Sequence, residues 1–291
     1  MHTGLMRSKL FVPGSRPELF EKAWRSPADA ISFDLEDAVV GEKKAEARER
    51  VGAELRARGA RRTQTVIVRV NPVGGRLFES DLDAVVQPGL HMINLPKIED
   101  VGAVRDAAAR LDRLERERGI DLPIGILVNI ETPKGLRMTA ELAGASDRVA
   151  GLQLGFGDLF EPLGIARTPA ALHQVRLAAR LAAGEAGVPV YDGAFVGVAD
   201  PAGYQAEAEA ARALGFAGKS CIHPSQVAIA NAVFAPTAAE VERARRIVAV
   251  ADEMEAKGVG AFMVDGDMAD GPFIARAREI VRMAERAELD V

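Results

Sequence analysis

Cysteine is nearly absent from this 291-residue chain, and large aromatics are scarce: one Cys, one Trp and two Tyr stand beside eleven Phe. A single cysteine, Cys221, cannot close an internal disulfide, which excludes a disulfide scaffold and fits a reducing compartment. There is no excess of positive charge. Lys and Arg number 37 against 42 Asp and Glu, a formal net charge of −5, so no basic field exists to hold nucleic acid or an anionic membrane. Long hydrophobic runs are missing too, and no segment approaches the roughly 20 apolar residues that span a bilayer. The first residues pass into a structured pattern without a long apolar leader, so a cytoplasmic protein is expected. No fixed-period repeat, low-complexity tract or Pro/Ser-rich linker interrupts the chain.

What remains is an ordinary globular composition, 48% hydrophobic and 27% charged, with enough length for one large domain. Short β-branched or apolar runs alternate with helical patterns, the signature of βα units around a parallel sheet. Eight such runs are readable: 9–13, 30–37, 65–71, 91–97, 124–131, 151–158, 188–195 and 215–223. Helical patterns occupy 42–57, 101–118 and 169–186, among others. Thr168 before Pro169 reads as an N-cap, and Thr237 with Glu240 as a capping box. Eight strands predict a closed α/β TIM barrel, (β/α)8, over 1–235. Beyond it a helix over 237–257, the segment GVGAFMVDGDMADGP and a helix from about Pro272 to Leu289 predict a C-terminal helical arm over 236–291.

Barrel enzymes work at the carboxyl ends of their strands. Those ends here are Pro13-Gly14, Glu36-Asp37, Arg69 to Asn71, Pro96-Lys97, Glu131, Gly157-Asp158, Asp192 and His223, a strongly polar set. Glu131 and Asp158 close consecutive strands, and two carboxylates at one rim need a cation between them. Oxygen donors alone match Mg²⁺ better than Zn²⁺. The alternative is that each acid caps the helix that follows it. Arg69, the one cation in VIVRV, suits bidentate capture of a carboxylate, or pairs with a rim acid. Glu36 and Asp37, adjacent in a strand, would point to opposite faces, one supporting the metal or its waters and the other holding a Lys or Arg. Lys97 reads as a salt-bridge partner of rim acids rather than a Schiff-base lysine. His2, His91 and His173 read as surface or barrel-edge residues, and Cys221 as a buried small hydrophobe.

Taken together, RSKLFVPGSRPELFEKA, FDLEDAV, VRVNP, LPKIE, IETPKGL, GLQLGFGDL, KSCIHPSQV and VDGDMADGP resemble, in that order, the motifs of the citrate lyase β-subunit-like family, within the HpcH/HpaI aldolase superfamily. Malyl-CoA and citramalyl-CoA lyases are among its members. The resemblance implies a Mg²⁺-dependent barrel that cleaves or forms a C–C bond beside an acyl thioester. Glu131 and Asp158 then match its metal ligands, Arg69 its oxo-acid carboxylate binder, and Glu36 and Asp37 the acidic pair behind the metal. Asp265 matches an aspartate that a neighbouring subunit inserts as acid/base, although this chain has Asp267 where the family usually has lysine. Gly157 and Arg16 are the remaining candidates for substrate and thioester contacts. The implied partners are an acyl-CoA or carrier-bound thioester, a small 2-oxo acid, and further copies of the chain in a trimer or hexamer. The implied alternatives are thioester hydrolysis in the same metal site and an obligate subunit of a citryl lyase.

Overall fold

The computed structural model describes residues 6–59 and 64–289; His2 lies outside them. The chain divides into two compact units, Met1–Phe234 and Ala235–Val291.

The first unit is a closed barrel of eight parallel strands in chain order, β1 pairing with β8. The strands are β1 Ser8–Pro13, β2 Ala30–Asp34, β3 Thr65–Arg69, β4 Met92–Leu95, β5 Gly125–Ile130, β6 Val149–Leu154, β7 Val190–Asp192 and β8 Gly218–Cys221. The expected (β/α)8 architecture is therefore the one observed. The strands are shorter than their apolar runs, because the chain leaves the ladder before the last polar residues. β2 ends at Asp34, so Glu36 and Asp37 lie in the turn beyond it, and Asp158 lies in a short helix, Phe156–Phe160, rather than at the end of β6.

Alternation along the strands separates two cores. Leu10, Val12, Ile31, Phe33, Val66, Val68, Ile93, Val128 and Leu152 point outward into the main apolar core between barrel and helices. Met6, Ala30, Ile67, Met92, Leu127 and Tyr191 form a separate cluster that fills the amino-terminal end of the barrel interior. Further along the strands the interior turns polar, with Lys9, Ser32, Asn94, Asn129, Gln153 and Ser220 all buried. Toward the carboxyl ends it carries charge, with Asp34, Arg69 and Glu131.

Helix Pro169–Glu185 starts on Thr168, whose side chain accepts from the Ala171 amide, with proline in the first turn as its sequence predicts. His173 is exposed, and His91 accepts the Val66 amide at the amino-terminal end of β4. Cys221 is fully buried beside the Tyr204 hydroxyl at 3.1 Å.

The second unit pairs helices Ala238–Glu255 and Gly271–Leu289 over a small core of Ala251, Phe262, Ala269 and Ile274. Thr237 and Glu240 form the capping box. The glycine-rich segment is an antiparallel hairpin, β9 Phe262–Val264 with β10 Asp267–Ala269. Its turn places Asp265 and Gly266 at φ 55° and 87°, the positive values a tight two-residue hairpin turn demands.

Candidate active site

At the carboxyl end of the barrel, Asp34 organises the first half of the site. Its two oxygens accept the Glu36 and Ala38 amides at 2.9 and 3.1 Å, fixing the turn after β2. The same oxygens receive Nε and Nη2 of Arg69 at 2.8 and 2.6 Å. Burial opposes the Arg69 charge, but Asp34 and Glu36 outweigh it and raise its pKa above the ordinary arginine value. The fork expected to grip a substrate carboxylate is thus engaged by Asp34, and Nη1, 3.3 Å from Glu36, is the edge turned toward the acidic turn.

Glu36 and Asp37 do not point to opposite faces as a continuous strand would require. In the turn both converge on Lys97 Nζ, at 2.6 and 3.0 Å, and Asp158 lies 3.5 Å from the same ammonium. The expected ion-pair role of Lys97 is the one observed. Lys97 also adopts a left-handed backbone, φ 51°, a conformation non-glycine residues take at a cost. That turn aims its amide at Glu131 Oε1, 2.7 Å away. Burial opposes the Lys97 charge, yet Glu36 and Asp37 raise its pKa. Within the pair, burial and the neighbouring Asp37 carboxyl hold Glu36 above its ordinary range.

Glu131 is buried just past β5 and takes the Asn129 amide on its other oxygen at 3.3 Å. Burial pushes its carboxyl up to about 7; the Lys97 amide and Arg69 pull against this, while Asp158 and Glu36 add to it. Neither metal-ligand candidate caps a helix. The helix after Glu131 is capped by Thr132, whose hydroxyl accepts the Gly135 amide at 3.0 Å, and the helix carrying Asp158 has Gly155 at its N-cap with no side-chain cap.

Two residues of GLQLGFGDL have separate duties. A Cβ on Gly155 would meet Glu131 Oε2 at 2.4 Å and Glu131 Cβ at 2.6 Å, whereas a Cβ on Gly157 would meet nothing within 4 Å. Gly155 admits the Glu131 side chain; Gly157 borders open space. Phe156, between them, is covered by the guanidinium groups of Arg167 and Arg176 at 5.2 and 5.3 Å, which anchors the turn that carries Asp158.

Asp192, expected at the rim, is elsewhere. Tyr191 takes the inward position, so Asp192 faces outward and is buried against Arg176 at 2.9 Å and Lys219 at 2.5 Å. His223 follows β8, exposed, beside Ser225 at 2.8 Å. Arg16 lies in the turn after β1, exposed and paired with Glu18 at 2.9 Å. In the second unit Asp265 pairs with Arg246 and Asp267 with Arg243, at 2.9 and 2.6 Å.

Asp34, Lys97 and Gly155 do most to position the charged groups. The signal for Asp34 was the first acid of FDLED, and for Gly155 the first glycine of GFGD; neither shows its partner until the strands are aligned. In all, five carboxylates, Asp34, Glu36, Asp37, Glu131 and Asp158, face two cations, Arg69 and Lys97. The excess of negative charge, the oxygen-only donors and a Glu131 carboxyl short of counter-charge fit a hard divalent cation. Among the described residues no three Asp, Glu, His or Cys side chains converge as a ligand cage.

Residues 7–224 match the HpcH/HpaI aldolase/citrate lyase family. The citrate lyase subunit beta of Escherichia coli K12 is 36% identical over 286 residues, covering 97% of this chain and 94% of that protein. The (3S)-malyl-CoA thioesterase of Cereibacter sphaeroides is 37% identical over 282 residues, covering 96% and 94%. Among solved structures, the protein CitE of Mycobacterium tuberculosis in complex with magnesium, acetoacetate and coenzyme A superposes with a TM-score of 0.72 at 30% identity, over 97% of this chain and 98% of that one. A parallel barrel with a carboxylate-rich mouth and relatives along nearly its whole length place the chain in the HpcH/HpaI aldolase/citrate lyase family of enzymes.

Proposed function

We propose that the chain is a Mg²⁺-dependent carbon–carbon lyase that cleaves, or forms, a short 3-hydroxyacyl-CoA thioester to give an acyl-CoA and a 2-oxo acid. The observation that carries this reading is the crowding of Glu131 and Asp158 with Glu36 and Asp37 at one barrel mouth, supported by the magnesium and coenzyme A bound to the Mycobacterium tuberculosis neighbour. Glu131 and Asp158 would hold the cation, whose Lewis acidity acts on the hydroxyl or oxo oxygen. Nη1 of Arg69 is the donor left for the oxo-acid carboxylate, with the guanidinium locked in orientation by Asp34. Lys97, bonded to Glu36 and Asp37, fixes the acidic turn beside the cation.

In the cleavage direction a carboxylate base accepts the hydroxyl proton, the C–C bond breaks with its electron pair passing to a thioester enolate, and the enolate is protonated at carbon. Asp265, delivered by a neighbouring copy in a homotrimer or hexamer, is the acid we assign to that protonation. Gly157, open above its Cα, and Arg16, exposed after β1, are the assigned substrate and thioester contacts. A second reading, hydrolysis of the thioester by water at the same cation, is supported by the Cereibacter sphaeroides relative. A third, a subunit that acts on a carrier-bound thioester inside a citrate lyase, is supported by the Escherichia coli relative. Among the described residues no helix is long and apolar enough to cross a membrane.

A small panel of hydroxyacyl-CoA esters, incubated with the purified chain and Mg²⁺, distinguishes the three. Release of 2-oxo acid with the thioester conserved supports the lyase. Release of free thiol supports hydrolysis, and inertness toward every free CoA ester supports the obligate subunit.

A further inference from the structure

The turn that carries Glu36 and Asp37 is held from behind as well as from within. β2 ends at Asp34, and the carbonyls of Leu35 and Glu36 beyond it need partners outside the strand ladder. Both accept from Lys44 Nζ, at 3.0 and 2.9 Å, and the same ammonium donates to Asn71 Oδ1 at 2.6 Å. A lysine ammonium has three hydrogens, and three neutral oxygens converge on this one. Lys44 is also the first residue of helix Lys44–Arg58. A cation in the first turn opposes the helix dipole, which favours acids there. Sequences break such local rules chiefly where function demands it.

The frame around Lys44 is rigid. Asn71, just past β3, is buried; its Nδ2 donates to the Leu35 carbonyl at 3.0 Å and to Asp81 Oδ2 at 2.7 Å, and its amide reaches that Oδ2 at 2.8 Å. Asp81, fully buried on helix Arg76–Val85, takes Arg48 Nε on its other oxygen at 2.6 Å. Lys44 and Arg48 are one helical turn apart, so one helix face grips the turns after β2 and β3 together. On the other side of the acidic turn, Glu36 and Asp37 meet the Lys97 ammonium, and the Lys97 amide meets Glu131. Arg69 is held separately, by the Asp34 side chain.

We propose that Lys44 is a positioning residue: by fixing the carbonyls of Leu35 and Glu36 it aims the Glu36 and Asp37 carboxylates at Lys97 and the mouth of the barrel, without reaching the mouth itself. The positioning stands whatever the reaction; its consequence for turnover rests on the lyase reading. Because Asp34 rather than Lys44 holds Arg69, loss of Lys44 disturbs the acids and leaves the carboxylate donor in place, so kcat suffers more than KM.

The test uses the full-length protein as Lys44→Cys, before and after alkylation with 2-bromoethylamine, which rebuilds an ammonium at nearly the native reach. Cys221 is fully buried and shielded from the reagent. Arg7→Gln, which breaks a two-pronged pair with Asp29 at the amino-terminal end of the barrel, is the stability control. Crystal structures of the metal-free proteins read the turn, and kcat and KM for malyl-CoA with Mg²⁺, taken well below each thermal midpoint, read turnover. In Lys44→Cys the Glu36 and Asp37 contacts with Lys97 should be lost, and kcat should fall by about tenfold or more while KM changes by less than about twofold. Alkylation should restore both the contacts and kcat; Arg7→Gln should lower the midpoint and move neither. If Glu36 and Asp37 still meet Lys97 in Lys44→Cys, or if Arg7→Gln at an equal loss of midpoint lowers kcat as much, Lys44 is merely structural and the proposal falls. Should Lys44→Cys fail to fold, Lys44→Gln, whose amide keeps two donors, carries the same comparison with Arg7→Gln. If the native chain leaves malyl-CoA and every other CoA ester intact, the lyase reading fails instead, and the crystal structures alone decide the positioning.

Discussion

Gly155→Ala should damage the metal site while adding one methyl group. The new Cβ would stand 2.4 Å from Glu131 Oε2 and 2.6 Å from Glu131 Cβ. The second distance is decisive, since Cβ cannot swing aside as a carboxylate can. β5 and the turn after β6 must separate, which draws the Glu131 carboxylate away from the Lys97 amide. Overpacking of this kind costs about 1–3 kcal/mol, and for a unit of this size each kcal/mol lowers the thermal midpoint by about 2–4 °C, so a fall of several degrees is expected. The larger effect falls on Mg²⁺. A carboxylate moved from its ligating position should lose on the order of tenfold in affinity, about 1.4 kcal/mol, or more. Gly157→Ala is the control, because a Cβ there meets nothing within 4 Å; it should keep both midpoint and Mg²⁺ affinity. Differential scanning calorimetry and titration calorimetry on the two variants read both quantities. A Gly155→Ala protein as stable and as tight for Mg²⁺ as the native chain would refute the packing argument and the role it gives Glu131.

Arg69→Lys keeps the charge but loses the two-pronged bond to Asp34, so thermal midpoint and oxo-acid affinity should fall together, the latter by about 1.5–3 kcal/mol; unchanged stability would show that Asp34 does not depend on the fork. Glu131 has its pKa raised from 4.5 to about 7 by burial, so between those values the folded metal-free protein holds a proton that the unfolded chain has lost. Its stability should therefore fall as pH rises through that window, by about 3 kcal/mol at most, and Glu131→Gln should flatten this slope in denaturant titrations. Divalent-cation affinity runs the other way and should climb with pH up to about 7, since only the carboxylate ligates. Co-expression of Asp265→Asn with Glu131→Gln should restore part of the activity that each variant lacks, because mixed oligomers would pair an intact metal site with an intact arm; inactive mixed oligomers that assemble normally would confine Asp265 to its own subunit.

The barrel was legible because its strands are continuous apolar runs punctuated by polar residues, the pattern of a parallel sheet covered on both faces. Glu131 was legible as a polar residue closing an apolar strand. The strand ends were harder to read. Hydropathy cannot show that Asp34 accepts two amides of the turn that follows it, so strand alternation predicts opposite faces for Glu36 and Asp37 where both bind Lys97. Asp192 differs from its expected rim position for a related reason: a one-residue difference in which positions of β7 face inward sends it to Arg176 and Lys219 outside the barrel. In the second unit the Asp265-Gly266 pair is a strong hairpin signal, hidden by the short strands on either side.

In the proposed mechanism Glu131 and Asp158 share one cation. Titration of Mg²⁺ into the native chain and into its Glu131→Gln and Asp158→Asn variants, with folding checked by circular dichroism, tests that directly. One site per chain is expected in the native protein and none of comparable affinity in either variant. Unchanged Mg²⁺ affinity in both folded variants would contradict the assignment.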